Sequence, residues 1–469
     1  VSRRLLLLFA TIAVAASVLP ASASARGLSF GFDDGLFLSA EESVRQTWLD
    51  RAAETGASIA RLDVRWSSIA PVKPPADFDA TDPASAGYQW GILDAAVREA
   101  DARGLRVLFT VYSAPGWAEG GGRPPRTELG TWNPSADAFG EFASALATRY
   151  SGSYPDPSAP GGTLPRVRFF EAWNEPNLDT YLGPQWRGQE NSGANIYRSL
   201  LDHFYSAIKV VQPGATVLGG ALAPFGDEPG EARTRPVLFL RNLLCLSGGR
   251  LTPVSCPEKA RFDVLSDHPI AVGAPTKSAL SPLDVTTPDL GRLTTVLQKA
   301  ESTNRVLPAG KKPLWVTEFW YDSNPPDPTG VPIDQQARWY EQALYLFWKQ
   351  GAEAAIALQV RDAPEGKSYA STYQSGAYFV DGSPKPAATA FRFPFVTHRT
   401  GPFEVGIWGI APRAGQVKVQ AFRDGTWKTL ATIAAKGPGR PFTGEFKLLR
   451  FAKLRGVIGD QASLAWSQR

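Results

Sequence analysis

A chain of 469 residues with 43% hydrophobic content has material for one large domain and a smaller companion. Its 49 Lys and Arg against 45 Asp and Glu leave a net charge of only +4 without long basic blocks, which excludes the clustered basic face that nucleic-acid binding usually needs. Three His and two Cys show no metal-ligand spacing, so neither a catalytic metal nor another cofactor is expected.

Residues 1–25 read as an export signal: Arg3-Arg4, an apolar run from Leu5 to Leu19 broken at Thr11, then the small-x-small site Ala23-Ser24-Ala25. A membrane anchor is the alternative, but the run is short for a span and small residues follow it. The mature chain is therefore expected to begin near Arg26 and to be secreted, free of the membrane once the signal is cleaved. In an exported protein Cys245 and Cys256 favour a disulfide closing a short loop, worth about 3 kcal/mol; two unlinked thiols are the alternative.

From residue 28 onward, strand-like apolar runs alternate with helix-like segments. The runs fall at 28–32, 58–66, 106–112, 167–173, 216–222, 262–268, 314–318 and 354–360. The helix-like segments fall at 41–54, 92–103, 136–150, 195–211, 235–246, 289–303 and 334–350, with a short last one from Pro386. Eight such repeats in one series predict a closed (β/α)8 TIM barrel over residues 26–397. A doubly wound open sheet, the alternative, usually has fewer units and a Gly-rich phosphate loop after its first strand, which this chain lacks. The elaborated connections, such as 118–132 and 176–193, follow strands, on the face where barrel enzymes build their sites. An exception is the Pro/Gly-rich insertion 151–165. Short strands at 405–410, 416–422, 427–433 and 445–451, punctuated by Asp424-Gly425 and Gly437-Pro438-Gly439, predict a small sandwich-like all-β domain over 398–469. Without a clear exposed aromatic set, it reads as a brace for the barrel rather than a sugar binder.

Two runs carry chemistry. Phe169-Phe170-Glu171-Ala172-Trp173-Asn174-Glu175-Pro176 is an apolar strand ending in an ionisable pair, stopped by proline. Pro313-Leu314-Trp315-Val316-Thr317-Glu318-Phe319-Trp320 presents a second glutamate at the tip of the seventh strand. A pair of carboxyls so placed is what a retaining glycosidase needs: one protonates the leaving oxygen while the other attacks the sugar carbon. The 14 Trp suit either core packing or stacking on sugar rings. Asp33-Asp34, after the first strand, read as turn formers rather than site residues.

At Trp173-Asn174-Glu175-Pro176 and Thr317-Glu318-Phe319 the sequence resembles glycoside hydrolase clan A. The resemblance runs over about residues 28–396 and includes Asp381-Gly382-Ser383-Pro384-Lys385-Pro386-Ala387; within the clan it is most similar to families 5 and 39, without choosing between them. The resemblance implies Glu175 as general acid and base, Glu318 as nucleophile, and Asn174 as partner of the sugar hydroxyl next to the anomeric carbon. Arg61, in Ala60-Arg61-Leu62-Asp63, matches the strand-two arginine that orients the nucleophile and keeps it ionised. Trp117 stands where a subsite wall often forms. Beside such a cation Glu318 is expected to have a lowered pKa, while Glu175 needs a raised one. His268 matches the strand-six histidine, but Ile270 stands where the clan often has a tyrosine. Residues 357–362 lack the usual strand-eight tryptophan, a place that Trp320 is positioned to fill. The implied activity is that of a secreted, monomeric retaining β-glycosidase cleaving O-glycosidic bonds of an oligo- or polysaccharide. A catalytically silent sugar-binding barrel and a transglycosidase are the alternatives.

Overall fold

The computed structural model describes residues 26–448 and 452–467; the expected export signal lies outside them. Eight strands, β1 (Ser29–Asp33), β2 (Ile59–Arg65), β3 (Arg106–Tyr112), β4 (Phe169–Ala172), β5 (Thr216–Leu222), β6 (Val264–Asp267), β7 (Leu314–Phe319) and β8 (Ala352–Leu358), form a closed parallel barrel in chain order, with β8 returning to pair with β1. They read as apolar runs because helices cover their outer faces and neighbouring strands fill the interior. Besides a single turn at Trp66–Ile69, the helices are α1 (Glu42–Glu54), α2 (Gly91–Ala102), α3 (Ala136–Arg149), α4 (Ser192–Val211), α5 (Pro236–Leu243), α6 (Leu290–Ser302), α7 (Ile333–Gln350) and α8 (Pro386–Arg392). None of the described helices is long and apolar enough to cross a membrane. Cys245 and Cys256 form the expected disulfide just beyond α5, with Cα atoms 6.0 Å apart.

The two-residue period of the strands sorts the barrel interior into layers. Ile59, Leu108, Leu218, Val264, Trp315 and Ile356 form one buried apolar layer, with Phe169 packed against it. Two residues further along, the sequence turns polar: Arg61, Thr110, Glu171, Ser266 and Thr317. All five are essentially inaccessible to solvent. The barrel thus carries an apolar plug with a charged floor on top of it, facing the long loops.

The C-terminal strands form two antiparallel sheets. β9 (Phe395–Gly401), β10 (Glu404–Ile410) and β13 (Pro441–Lys447) make one, while β11 (Ala414–Arg423), β12 (Thr426–Lys436) and β14 (Lys453–Ile458) are the main strands of the other. Two expectations are corrected here. The strand expected at 445–451 lies instead at Pro441–Lys447, and its alternation of Phe442, Gly444 and Phe446 is masked by a glycine at the inward position. A Cβ on Gly444 would lie 2.7 Å from the end of the Ile433 side chain, which would have to shift to admit it. β9 was not anticipated and begins at Phe395. Phe422 is exposed beside Trp427, with ring centroids 5.2 Å apart, so this region does present aromatic surface.

The sheets are fastened to the barrel through α7. Trp408 is fully buried and packs on Tyr345 and Trp348, at 5.7 and 6.0 Å between ring centroids. Buried Glu341 accepts the indole N–H of Trp466 at 2.6 Å and the backbone N–H of Phe395 at 3.3 Å. Truncating Trp408 leaves a cavity against α7. We expect Trp408→Ala to lower unfolding free energy in urea by about 3–5 kcal/mol; an unchanged transition would mean the sheets contribute nothing to the barrel.

Candidate active site

The charged floor is organised around Arg61, which is 1% exposed. Its Nε donates to Thr110 Oγ1 at 2.7 Å and to Glu171 Oε2 at 3.3 Å. Nη1 donates to Glu318 Oε2 at 3.1 Å and pairs closely with Asp33. Nη2 donates to Asn174 Oδ1 at 2.7 Å. This one cation on β2 thus binds side chains from β1, β3, β4 and β7. Thr110 passes its own hydroxyl hydrogen to Glu171 Oε2 at 2.7 Å. Asp33 is a member of this cluster, against the expectation that it only forms a turn. Asp34 does cap the turn: its carboxylate accepts Leu36 N–H at 2.9 Å. It also accepts Val360 and Arg361 N–H at 3.0 and 3.1 Å, tying the end of β1 to the end of β8. Burial outweighs these bonds and raises the Asp34 pKa to about 6.

Strict alternation from Trp315 and Thr317 would aim Glu318 outward. The pairing of β7 with β8 shifts register between Val316 and Phe319, and such a bulge re-aims a side chain. Glu318 turns inward to meet Arg61. Glu175 is delivered differently. Trp173 and Glu175 have φ of 69° and 41°, left-handed backbone that costs non-glycine residues on the order of 1–3 kcal/mol each. Compensation comes from buried bonds. Glu175 N–H donates to Ala221 O at 3.0 Å, and Trp173 N–H to Val111 O at 2.8 Å. On β5, Gly220 (φ 125°) allows close packing: a Cβ there would lie 2.2 Å from Ser266 O.

His268, fully buried, joins the two glutamates. Its Nδ1 lies 3.1 Å from Glu175 Oε1 and 3.7 Å from Glu318 Oε2, so no more than about 6.8 Å can separate those two oxygens. Each glutamate side chain is 13% exposed, enough to reach a ligand above the floor. Burial opposes a charged His268, but the carboxylates of Glu318 and Glu175 prevail and its pKa is raised. The expected lowering of the Glu318 pKa by Arg61 is not found. Burial pushes it up, and His268 and Arg61 only partly oppose that, because Arg61 shares its charge with Asp33 and Glu171 as well.

Of the aromatic residues read from sequence, Trp320 stacks edge-to-face with Tyr373, with centroids 5.2 Å apart. Trp117 packs edge-to-face on Trp66, donates its indole N–H to Pro71 O at 2.8 Å and is half-buried against the aromatic core. Two tyrosines, unremarked in the sequence, stand near the glutamates. Burial, together with the charges of Glu175 and Glu318, raises the pKa of both Tyr181 and Tyr373. The Tyr181 carbonyl accepts the Trp173 indole N–H at 2.9 Å. Loops carry no periodicity, so no sequence signal pointed to these tyrosines; the polar residues Thr110 and Glu171 inside apolar strands were a signal for the floor.

The segment around Lys385 lies behind these loops. The fully buried ammonium of Lys385 donates to Asp362 Oδ1 at 2.6 Å, Ser323 Oγ at 2.8 Å and Gln374 O at 3.0 Å. It thereby fastens the loop after β7, which carries Trp320, to the loop after β8, which carries Tyr373. Removing one partner of a buried pair strands the other. We expect Lys385→Met to cost about 3–5 kcal/mol in denaturant unfolding, and Lys385→Met with Asp362→Leu to cost less than Lys385→Met alone.

Asp267 is a second buried carboxyl with a pH consequence. Neither of its oxygens finds a hydrogen-bond partner among the described residues. Burial, with the charge of Glu175 added, pushes its pKa well above the carboxylate range. The native state keeps this proton where the unfolded chain, with an ordinary pKa of about 3.9, has lost it. Stability from this group therefore falls as pH rises above about 4 until the folded pKa is passed. Asp267→Asn has no proton to lose, so its urea midpoint should decline less between pH 4.5 and 7.5 than that of the wild type; identical declines would contradict the assignment.

No family model and no curated protein matches the chain. Among solved structures it is similar to a family 39 glycoside hydrolase from the gut symbiont Bacteroides cellulosilyticus WH2. The identity is 17% and the TM-score 0.55, over 90% of this chain and 81% of that one. A glucosidase from Croceicoccus marinus matches at 16% identity and TM-score 0.49, over 90% of this chain and 94% of that one. The catalytic domain of the GH30 xylanase C from Talaromyces cellulolyticus matches at 14% and 0.45, over 92% and 98%. At these identities the likeness is one of fold. The architecture this chain shares with the family 39 glycoside hydrolase is the closed (β/α)8 barrel.

Proposed function

We propose that the chain is a retaining glycoside hydrolase that cleaves β-linked O-glycosidic bonds by double displacement. The observation that carries this reading is the convergence of Glu175 and Glu318 on His268 Nδ1. One oxygen of each carboxyl lies within about 6.8 Å of the other, which accommodates the 5–5.5 Å separation of retaining enzymes. Glu318, held by Arg61, attacks the anomeric carbon while Glu175 gives its proton to the departing oxygen. Glu175 then takes a proton from water, whose oxygen displaces Glu318 and releases the sugar. A charged His268 beside Glu175 stabilises the carboxylate that the first step creates. Arg61 fixes Asn174 through Oδ1, leaving the amide N–H groups for a substrate hydroxyl. The export signal read in residues 1–25 supports action outside the cell, and we propose that the enzyme works there as a monomer.

Glu318→Ala should abolish hydrolysis of an aryl β-glycoside, and azide should partly restore turnover by taking the nucleophile's place. Glu175→Gln should lower the rate about 10²–10⁴-fold. NMR of the first-formed product of the wild type should show the anomer of the substrate. An inverted first product, or a Glu318→Ala enzyme with ordinary activity, would overturn the reading.

A further inference from the structure

We propose that the sugar ring seated between Glu175 and Glu318 is uncharged, and that Asp63 holds it by accepting a hydrogen bond from one of its hydroxyls. This rests on the site being the glycoside-binding centre described above.

The first support is the balance of charge. Five carboxyls gather around the floor, from Asp33, Asp63, Glu171, Glu175 and Glu318, against one guanidinium and one imidazole. Neither cation is available to a ligand anion. Each nitrogen of Arg61 already donates to a side chain, and the residue is 1% exposed. His268 is fully buried, with Nδ1 turned to the glutamates. Arg65, the next basic residue along β2, is exposed at the strand's end and lies over the ring of Tyr112, 5.6 Å from its centre. A uronate, sulfate or phosphate on the ring would meet five carboxyls against two cations that are already engaged, which disfavours such substrates electrostatically.

The second support is the placement of Asp63 itself. It lies two residues beyond Arg61 on β2 and so faces the same interior. Its side chain is 38% exposed where those of Asp33 and Glu171 are 7% and 0%. Oδ1 is buried, 3.9 Å from Arg61 Nη1, and makes no hydrogen bond, so the open oxygen is Oδ2. That atom accepts one bond, from Tyr112 O–H at 3.1 Å. A carboxylate only accepts, and an oxygen with one donor still has room for another. Its natural partner in a sugar site is a ring hydroxyl, in a charge-assisted bond. The Tyr112 ring packs edge-to-face on Tyr181, with centroids 6.0 Å apart, which connects Asp63 to the tyrosine wall near the glutamates. The charge of Asp63 also reaches Glu318, whose pKa it helps to raise.

The test compares 4-nitrophenyl β-glucoside, β-galactoside, β-xyloside and β-glucuronide as substrates of the wild type and of Asp63→Asn. Binding of the corresponding methyl glycosides is followed by saturation-transfer NMR, which needs no turnover. We expect at least one neutral glycoside to be favoured over the glucuronide by about 100-fold or more in kcat/KM. Asp63→Asn should lower kcat/KM for the neutral substrate about 10–100-fold and narrow its advantage over the glucuronide. A loss of fold would not move that ratio. A glucuronide used as well as the neutral sugars, or an unchanged ratio in Asp63→Asn, would overturn the inference while the hydrolase reading stands. Neutral sugars that bind and are never cleaved, with the glucuronide unbound, would support the inference and sink the hydrolase reading. Failure of every glycoside to bind would overturn both.

Discussion

Everything at the mouth of this barrel is arranged around one buried positive charge. Arg61 is out of water, so its guanidinium needs hydrogen-bonding partners and counter-charge at once. It finds them on β1, β3, β4 and β7 and on Asn174. Any strand that shifted would leave both a carboxylate and the guanidinium partly unpaired. The cluster therefore fixes the relative heights of strands contributed by distant parts of the chain, and Glu318 is positioned as a consequence. The cost is electrostatic: several carboxyls share one cation, and burial pushes the pKa of Asp33 and Glu318 up.

The barrel was legible because each strand is an apolar run closed by a turn and followed by an amphipathic helix. β3 and β5 begin and end at the residues that the alternation of runs indicates. The two glutamates were legible because each ends such a run. What the pattern did not convey was aim. The inward turn of Glu318 depends on a register shift in β7, and the presentation of Glu175 on left-handed backbone after β4. Neither is encoded in hydrophobic periodicity.

The misreadings have physical causes too. Asp33 and Asp34 look identical to a turn rule, yet one residue of strand geometry sends Asp33 to the guanidinium and Asp34 to backbone N–H groups. Gly444 occupies a buried inward position that a hydrophobicity pattern scores as a break, which displaced a whole strand in the sequence reading.

The Asp34 carboxylate sews the first strand to the residues just past the last, across a sequence separation of 326 and 327 positions. β1 therefore waits for a partner that emerges from the ribosome only after the rest of the barrel has been made. Until then Ser29–Asp33 is a bare sheet edge, and Phe391, which later stacks on the Phe30 ring, has not yet been made. Unpaired edges of this kind seek other chains, and ring closure between remote segments is slow. During synthesis, the vulnerable part of this molecule is its own seam.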